Sequence, residues 1–402
     1  MNSHRLIGQN FSSIDRVAWL NLGAQYESIK EEVDEAIQRV LSAGRYVLSE
    51  DVFAFEEEFA HYCGVRYGVG VRSGSDAIAL ALIALGITEG DEVLLPDNSC
   101  LSEPNAIMQA RATPIPVDID ERTYNIDPDK LAKRIGPKTK VIHAVHAYGQ
   151  PCDMSKLSSL GRKNGLLVLE DMSLAPGTRI GEKRVGQFGD VAVASFGHGK
   201  ILNAIGNGGG IVLTNSQYIA DKVRILANYG CGAIDTSSLK EAFLPANGMV
   251  WLRTGYNSVL DSIQAAVLRV KLRHLDQWLE QRAERAKLYD RLLADLDVIT
   301  PCVRENVTCA YRGYVIRVKE RKHVLATLKA HGVEARTLYL PPVHLQPAMA
   351  RFGYQEGDFP VTEKVARELI VLPIYPELEN KKIEYVAQVL SDALQSAQQM
   401  MP

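Results

Sequence analysis

Residues 188–215 read FGDVAVASFGHGKILNAIGNGGGIVLTN. Two solidly apolar runs, VAVASF (191–196) and GGIVLTN (209–215), flank a glycine-rich loop that carries a single lysine, Lys200. Short runs that are apolar at nearly every position predict strands buried on both faces. An ammonium placed just beyond such a strand is costly to desolvate, and the glycines around it permit close backbone approach. The stretch therefore predicts two strands of a covered sheet and a lysine that is either a solvated loop residue or a nucleophile.

The same texture extends toward the N-terminus. DEVLLP (91–96), ATPIPVDI (112–119), KVIHAVHAYG (140–149) and LLVLED (166–171) are further strand candidates, and helical segments alternate with them. That alternation predicts an α/β fold with a mostly parallel sheet flanked by helices on both faces. Helices are expected at 26–44, ending on a glycine, and at 76–86, apolar on nearly every side and so buried. Beyond residue 260 the pattern changes. One long amphipathic helix over 261–296 leads to a smaller α+β region with strands near 311–318 and 335–339 and a closing helix at 380–396. The expected division is an N-terminal arm at 1–15, a large domain at 16–258 and a small C-terminal domain at 259–402.

The chain has 402 residues, 46% hydrophobic and 23% charged, which suffices for two packed domains. Its formal charge of −3, with both signs interspersed, points to neither nucleic acid nor an anionic membrane as partner. No stretch approaches 18 uninterrupted apolar residues and the N-terminus lacks a hydrophobic signal core, so a cytoplasmic location is expected. The six cysteines show no CxxC pairs, which suggests structural thiols in a reducing compartment; no metal site is expected.

In open α/β sheets ligands gather at the carboxyl ends of the strands. Three features fall there. RSGSDAIALA (72–81) is a Gly-Ser turn leading into a helix, whose free N–H groups suit a phosphate; a plain helix cap would equally explain Ser75. Asp171 ends the strand LLVLED, where a carboxylate needs a partner. Lys200 is the third. A phosphate site, a carboxylate and a lysine in this order meet the needs of pyridoxal phosphate: a Schiff-base lysine, a carboxylate that keeps the ring nitrogen protonated, and phosphate donors. Ser195 can add a hydroxyl from the same strand end, and Lys200 then also serves as catalytic base.

With these residues in place the chain resembles the DegT/StrS-type sugar aminotransferases of the aspartate aminotransferase-like fold group (fold type I, with a seven-stranded type of sheet). The resemblance runs over nearly the whole length and includes AYGQPCDM (147–154), LEDMSLAPGTRIGEKRVGQFGDV (169–191), the Ser-Phe-x-x-x-Lys at 195–200, GYNSVLDSIQAAVLRVKL (255–272) and YLPPVHLQPA (339–348). It implies a homodimer with active sites at the subunit interface. It also implies that Gly74, Ser75 and Ser195 contact the phosphate, Asp171 the ring nitrogen, and Asn257 the phosphate of the neighbouring subunit. The reaction implied moves an amino group from glutamate, or glutamine, to a keto-sugar, usually nucleotide-linked, in amino-sugar or natural-product biosynthesis.

Several positions depart from the family pattern. Leu174 stands where Gln or His is usual, and Cys100 where an aromatic residue stacks on the ring. Gly197 and His198 replace a bulky pair, Val259 an arginine, and Arg312 a histidine of the small domain's first strand. A guanidinium at 312 would suit a carboxylate or phosphate. His198 is read as a proton relay or a structural loop residue, and His344 as structural or substrate-adjacent; Tyr339 is a further substrate candidate. These departures keep two other readings open: the same cofactor chemistry on a non-sugar metabolite, and a non-catalytic regulatory homologue.

Overall fold

The computed structural model describes residues 14–232 and 250–399, so most of the expected N-terminal arm lies outside the described residues. Seven strands form one sheet: β1 (Tyr67–Val71), β2 (Glu92–Pro96), β3 (Thr113–Val117), β4 (Thr139–Val145), β5 (Leu167–Asp171), β6 (Val191–Ser195) and β7 (Gly210–Thr214). Their spatial order is β1-β7-β6-β5-β4-β2-β3, and only β7 runs against the others. The expected mostly parallel α/β sheet is present. The sequence reading missed β1, because the glycines of YGVGV interrupt its apolar run. They are there for space: a Cβ at Gly68 would lie 2.7 Å from the Glu56 carbonyl oxygen.

Helices cover both faces. On one lie α4 (Gly74–Ala84), α5 (Ser102–Gln109) and α8 (Gln217–Ala227), packed on Val141, Leu169, Val191 and Val193. Helix α4 is buried almost all round, as its composition predicts. On the other face lie α3 (Glu50–Cys63) and the first half of a 32-residue helix, α9 (Ser262–Leu293). The helix expected at 26–44 is two, α1 (Leu22–Ser28) and α2 (Lys30–Ala43), because Ile29 leaves helical geometry (ψ 23°). Helix α2 ends on left-handed Gly44, as expected.

A second core surrounds β8 (Tyr314–Arg317), β9 (Leu369–Leu372), α10 (Arg321–Ala330) and α12 (Asn380–Gln399). The expected strand at 335–339 is not formed. The antiparallel partner of β8 is β9, and Arg336 makes only an isolated bridge to Val371. The chain cannot stay extended there, because Tyr339 takes a positive φ of 60°. The long helix serves both cores: Ala265, Leu268 and Leu275 pack in the first, Ala286, Tyr289 and Leu293 in the second. Val17 also packs in the second. Among the described residues no helix is long and apolar enough to cross a membrane.

Candidate active site

The strand register assembles the site. Val145 pairs with Asp171, and Asp171 with Val193. Because side chains alternate along a strand, His143, Asp171 and Ser195 share one face and step diagonally across β4, β5 and β6 at their carboxyl ends. That face is the one covered by α4 and α5.

Asp171 is buried, and its Oδ1 accepts a 2.7 Å hydrogen bond from the Ser173 N–H. No hydrogen bond among the described residues engages Oδ2. The Ser173 hydroxyl in turn accepts from the Ser195 N–H at 2.8 Å, which ties the tips of β5 and β6 together. The Ser195 Oγ accepts from Gly197 N–H at 3.3 Å.

Helix α4 begins against Ser195. A Cβ added at Gly74 would lie 2.4 Å from the Ser195 Cβ, so only glycine fits at this helix start. Ser73, not Ser75, is the helix cap: its side chain accepts from the Asp76 N–H at 3.1 Å. That correction leaves Ser75 half-buried with its hydroxyl and N–H free of capping duty, at the positive end of the helix.

The loop after β6 carries Lys200. Its N–H donates to the Gly197 carbonyl, Gly199 takes a φ of +79°, and Asn203 Nδ2 donates to the Lys200 carbonyl at 3.1 Å. The backbone is thus pinned while the amine is unpaired: no hydrogen bond or ion pair among the described residues engages Nζ. Burial pushes the amine's pKa below its ordinary value, against the pull of Asp171, Glu103 and Cys100, and the Arg312 charge pushes the same way as burial. A desolvated amine of lowered pKa is not that of a solvated loop lysine, and it has the character that a nucleophile requires.

The other expected residues fall in two groups. Cys100 is exposed after β2 and close enough to act on both Lys200 and Tyr339. Tyr339 is half-buried, its ring 5.6 Å from that of Tyr148, within the field of Arg312, Glu103 and Asp171. Arg312 lies on the Lys200 loop, since a Cβ at Gly199 would come within 3.1 Å of its Nη2. Its guanidinium stacks 4.6 Å above Trp19, finds no carboxylate partner among the described residues, and has a buried Nε without a hydrogen bond. Burial lowers its pKa to about 10, opposed by Tyr339. Leu174 is half-buried just beyond Asp171.

His198 is exposed, and His344 is not brought to the cluster. The His344 ring is buried, with Nδ1 2.6 Å from Asp97 Oδ2 and Nε2 3.3 Å from Glu363 Oε1, so it anchors the segment after Tyr339 to the end of β2. Asn257 is exposed and its side chain makes no hydrogen bond among the described residues; its backbone bridges Asn228, while Ser258 Oγ donates to Asp76 at 2.7 Å.

Sequence reasoning missed three residues here. His143 and Glu103, both buried, lie beside Asp171 with His143 Nε2 and Glu103 Oε2 2.5 Å apart. Trp19 is the third. The signal for the first was present: a histidine inside the otherwise apolar run KVIHAV.

A carboxylate at one strand tip and a lysine in the loop beyond the next strand, beside a glycine-built helix start, make a pyridoxal-phosphate type of site on an α/β sheet. The chain belongs to the DegT/DnrJ/EryC1/StrS aminotransferase family, whose model matches residues 27–391. It is 39% identical over 90% of its length to a dTDP-3-amino-3,4,6-trideoxy-alpha-D-glucose transaminase of Streptomyces venezuelae, of which it covers 92%. It is 37% identical over 94% of its length to a pleiotropic regulatory protein of Geobacillus stearothermophilus, of which it covers 98%. Among solved structures it is similar to S. venezuelae DesV in complex with a ketimine intermediate, with a TM-score of 0.88, 38% identity, and coverage of 94% of this chain and 98% of that one. The family, fold and aminotransferase activity expected from the sequence all stand.

Proposed function

We infer that this aminotransferase moves an amino group from glutamate or glutamine to the keto group of a nucleotide-linked sugar, with pyridoxal phosphate held on Lys200. The observation that carries the reading is the unpaired, desolvated Lys200 amine set against Asp171 in a pinned loop. The residues fit the cofactor: Gly74 leaves a cradle that a Cβ would fill, Ser75 and Ser195 offer hydroxyls beside it, and Asp171 keeps one oxygen free. The similarity to a dTDP-sugar transaminase favours a nucleotide-linked acceptor.

When bound, the cofactor supplies an electron sink that stabilises negative charge on the substrate carbon. Lys200 would hold its aldehyde, and its Nζ, which has no hydrogen-bond or ion-pair partner among the described residues and a pKa lowered by burial, would accept and return the proton. The Asp171 carboxylate holds the ring nitrogen's proton, and the start of α4 with Ser195 binds the phosphate. Arg312, with no acidic partner among the described residues, binds an anionic group of donor or acceptor; two aligned hydrogen bonds contribute about 1.5–3 kcal/mol each in a desolvated site.

The working unit in this reading is a homodimer in which Asn257 serves the neighbouring site. Tyr229, Trp251, Leu252 and Tyr256 are all exposed around Asn257, Trp251 at 71%, and an apolar patch of this kind suits a subunit contact. The test is to supply glutamate or glutamine with nucleotide-linked keto-sugars and, separately, with free keto acids, and to identify the aminated product by mass. The reading expects turnover with the sugar set. Turnover confined to keto acids would replace it with a non-sugar function, and no turnover with any acceptor would favour a regulatory one.

A further inference from the structure

Two carboxylates, Glu103 on α5 and Asp171 at the tip of β5, are buried together, and an oxygen of each lies within 4.8 Å of the other and of a His143 ring nitrogen. Two buried carboxylates at this spacing cannot both stay ionised without a cation between them. Lys200 faces both, but its amine is consumed when it holds the cofactor aldehyde. His143 is the remaining candidate. It is fully buried, projects from β4 on the same face as Asp171, and places Nε2 2.5 Å from Glu103 Oε2. Its Nδ1 is buried with no hydrogen-bond partner among the described residues, so the two carboxylates of the cluster are what a proton on this ring answers to.

We propose that Glu103 and His143 are a positioning pair for Asp171: Glu103 fixes the imidazole in its charged form, and the imidazolium keeps Asp171 ionised toward the cofactor's ring nitrogen. The inference rests on the reading of Asp171 as the ring partner. Burial is the largest single influence on the His143 ring and opposes its charge, yet the hydrogen bond and charge of Glu103 and the charge of Asp171 together outweigh it, and the ring's pKa is raised. Burial and the charge of Asp171 push the Glu103 pKa up, while His143 and Lys200 draw it back. Cys100 and Tyr339 also face this group, Cys100 through Lys200, and neither supplies a second cation.

The test uses the holoenzyme loaded with cofactor labelled with ¹⁵N at the ring nitrogen. In the parent, His143 should remain doubly protonated by ¹⁵N NMR at pH 7.5, and the ring nitrogen protonated. Glu103→Gln and His143→Gln should each move the ring-nitrogen signal toward its unprotonated position, shift the pH midpoint of the cofactor's visible band by one unit or more, and weaken cofactor binding about tenfold. A purely structural pair would lower the melting temperature and leave signal and midpoint unchanged, which would overturn the proposal. A neutral His143 in the parent would overturn it without any variant. So would one divalent cation per subunit bound by the parent and lost in His143→Gln. Asp171→Asn separates the two claims: if it leaves the ring signal at the parent position, the reading of Asp171 fails; if it alone moves the signal, only the role of the pair fails.

Discussion

The Cα of Gly74 sits so close to Ser195 that a Cβ there would approach the Ser195 Cβ to 2.4 Å and its Oγ to 2.8 Å. The start of α4 and the tip of β6 are thus fitted to each other with no side chain between them. Gly74→Ala forces one of them to move, and both belong to the proposed phosphate cradle. The expected outcome is a loss of about 1–3 kcal/mol of stability, as for other overpacked sites, and cofactor affinity reduced tenfold or more. Thermal melts and cofactor titration measure both. Gly136→Ala, with only ordinary contacts at 3.9 Å or beyond, is the control and should stay within about 0.5 kcal/mol.

Lys271 gives the loop of Lys200 a pH-dependent support. Its buried amine donates to Asn203 Oδ1 at 2.8 Å and Gln25 Oε1 at 3.2 Å, and burial lowers its pKa from 10.5 to about 8 despite Glu377. Between those values the unfolded chain holds a proton that the folded chain has released, so this residue makes stability rise with pH across the window. Lys271→Met should flatten the stability-versus-pH curve between pH 8 and 10, by up to about 1.4 kcal/mol per pH unit. Denaturant unfolding at three pH values tests this, and parallel curves for parent and variant would contradict it.

Much of this architecture is legible in the chain. The apolar runs from DEVLLP to GGIVLTN mark six of the seven strands, and the Asp171, Ser195 and Lys200 spacing marks the chemistry. What was hidden depends on partners distant in sequence. Strand β1 reads as a glycine-broken fragment because its glycines answer to Glu56 and Leu260. The strand expected at 335–339 failed because β9, not this segment, satisfies β8. Glu103 and His143 are 40 residues apart, and only the packing of α5 over β4 shows that they meet. Ser75 reads equally well as a cap because composition also allows a helix start two residues later, at Asp76; Ser73 takes that role.

Arg312 stacks on Trp19 and has no acid to pair with among the described residues. Arg312→Lys keeps a cation but loses the planar fork, so kcat/KM for the substrate it binds should fall tenfold or more with cofactor absorbance intact. Values within twofold of the parent for both donor and acceptor would remove Arg312 from the substrate site.

If Asn257 serves the neighbouring subunit, two defects can complement. Lys200→Ala and Asn257→Asp are each expected to be inactive or nearly so, and mixing them under conditions of subunit exchange should restore about a quarter of parental activity, from mixed dimers with one intact site. Activity after mixing equal to the sum of the separate variants would mean that each site is built from one chain.

The central claim is that Lys200 carries the cofactor, and borohydride reduction of the holoenzyme tests it most directly. Reduction locks the cofactor to its lysine, and proteolysis with mass spectrometry locates the added mass. A pyridoxyl group is expected on the peptide containing Lys200 and should be absent from Lys200→Ala. The same mass on Lys183, on buried Lys271, or on no lysine at all would contradict it.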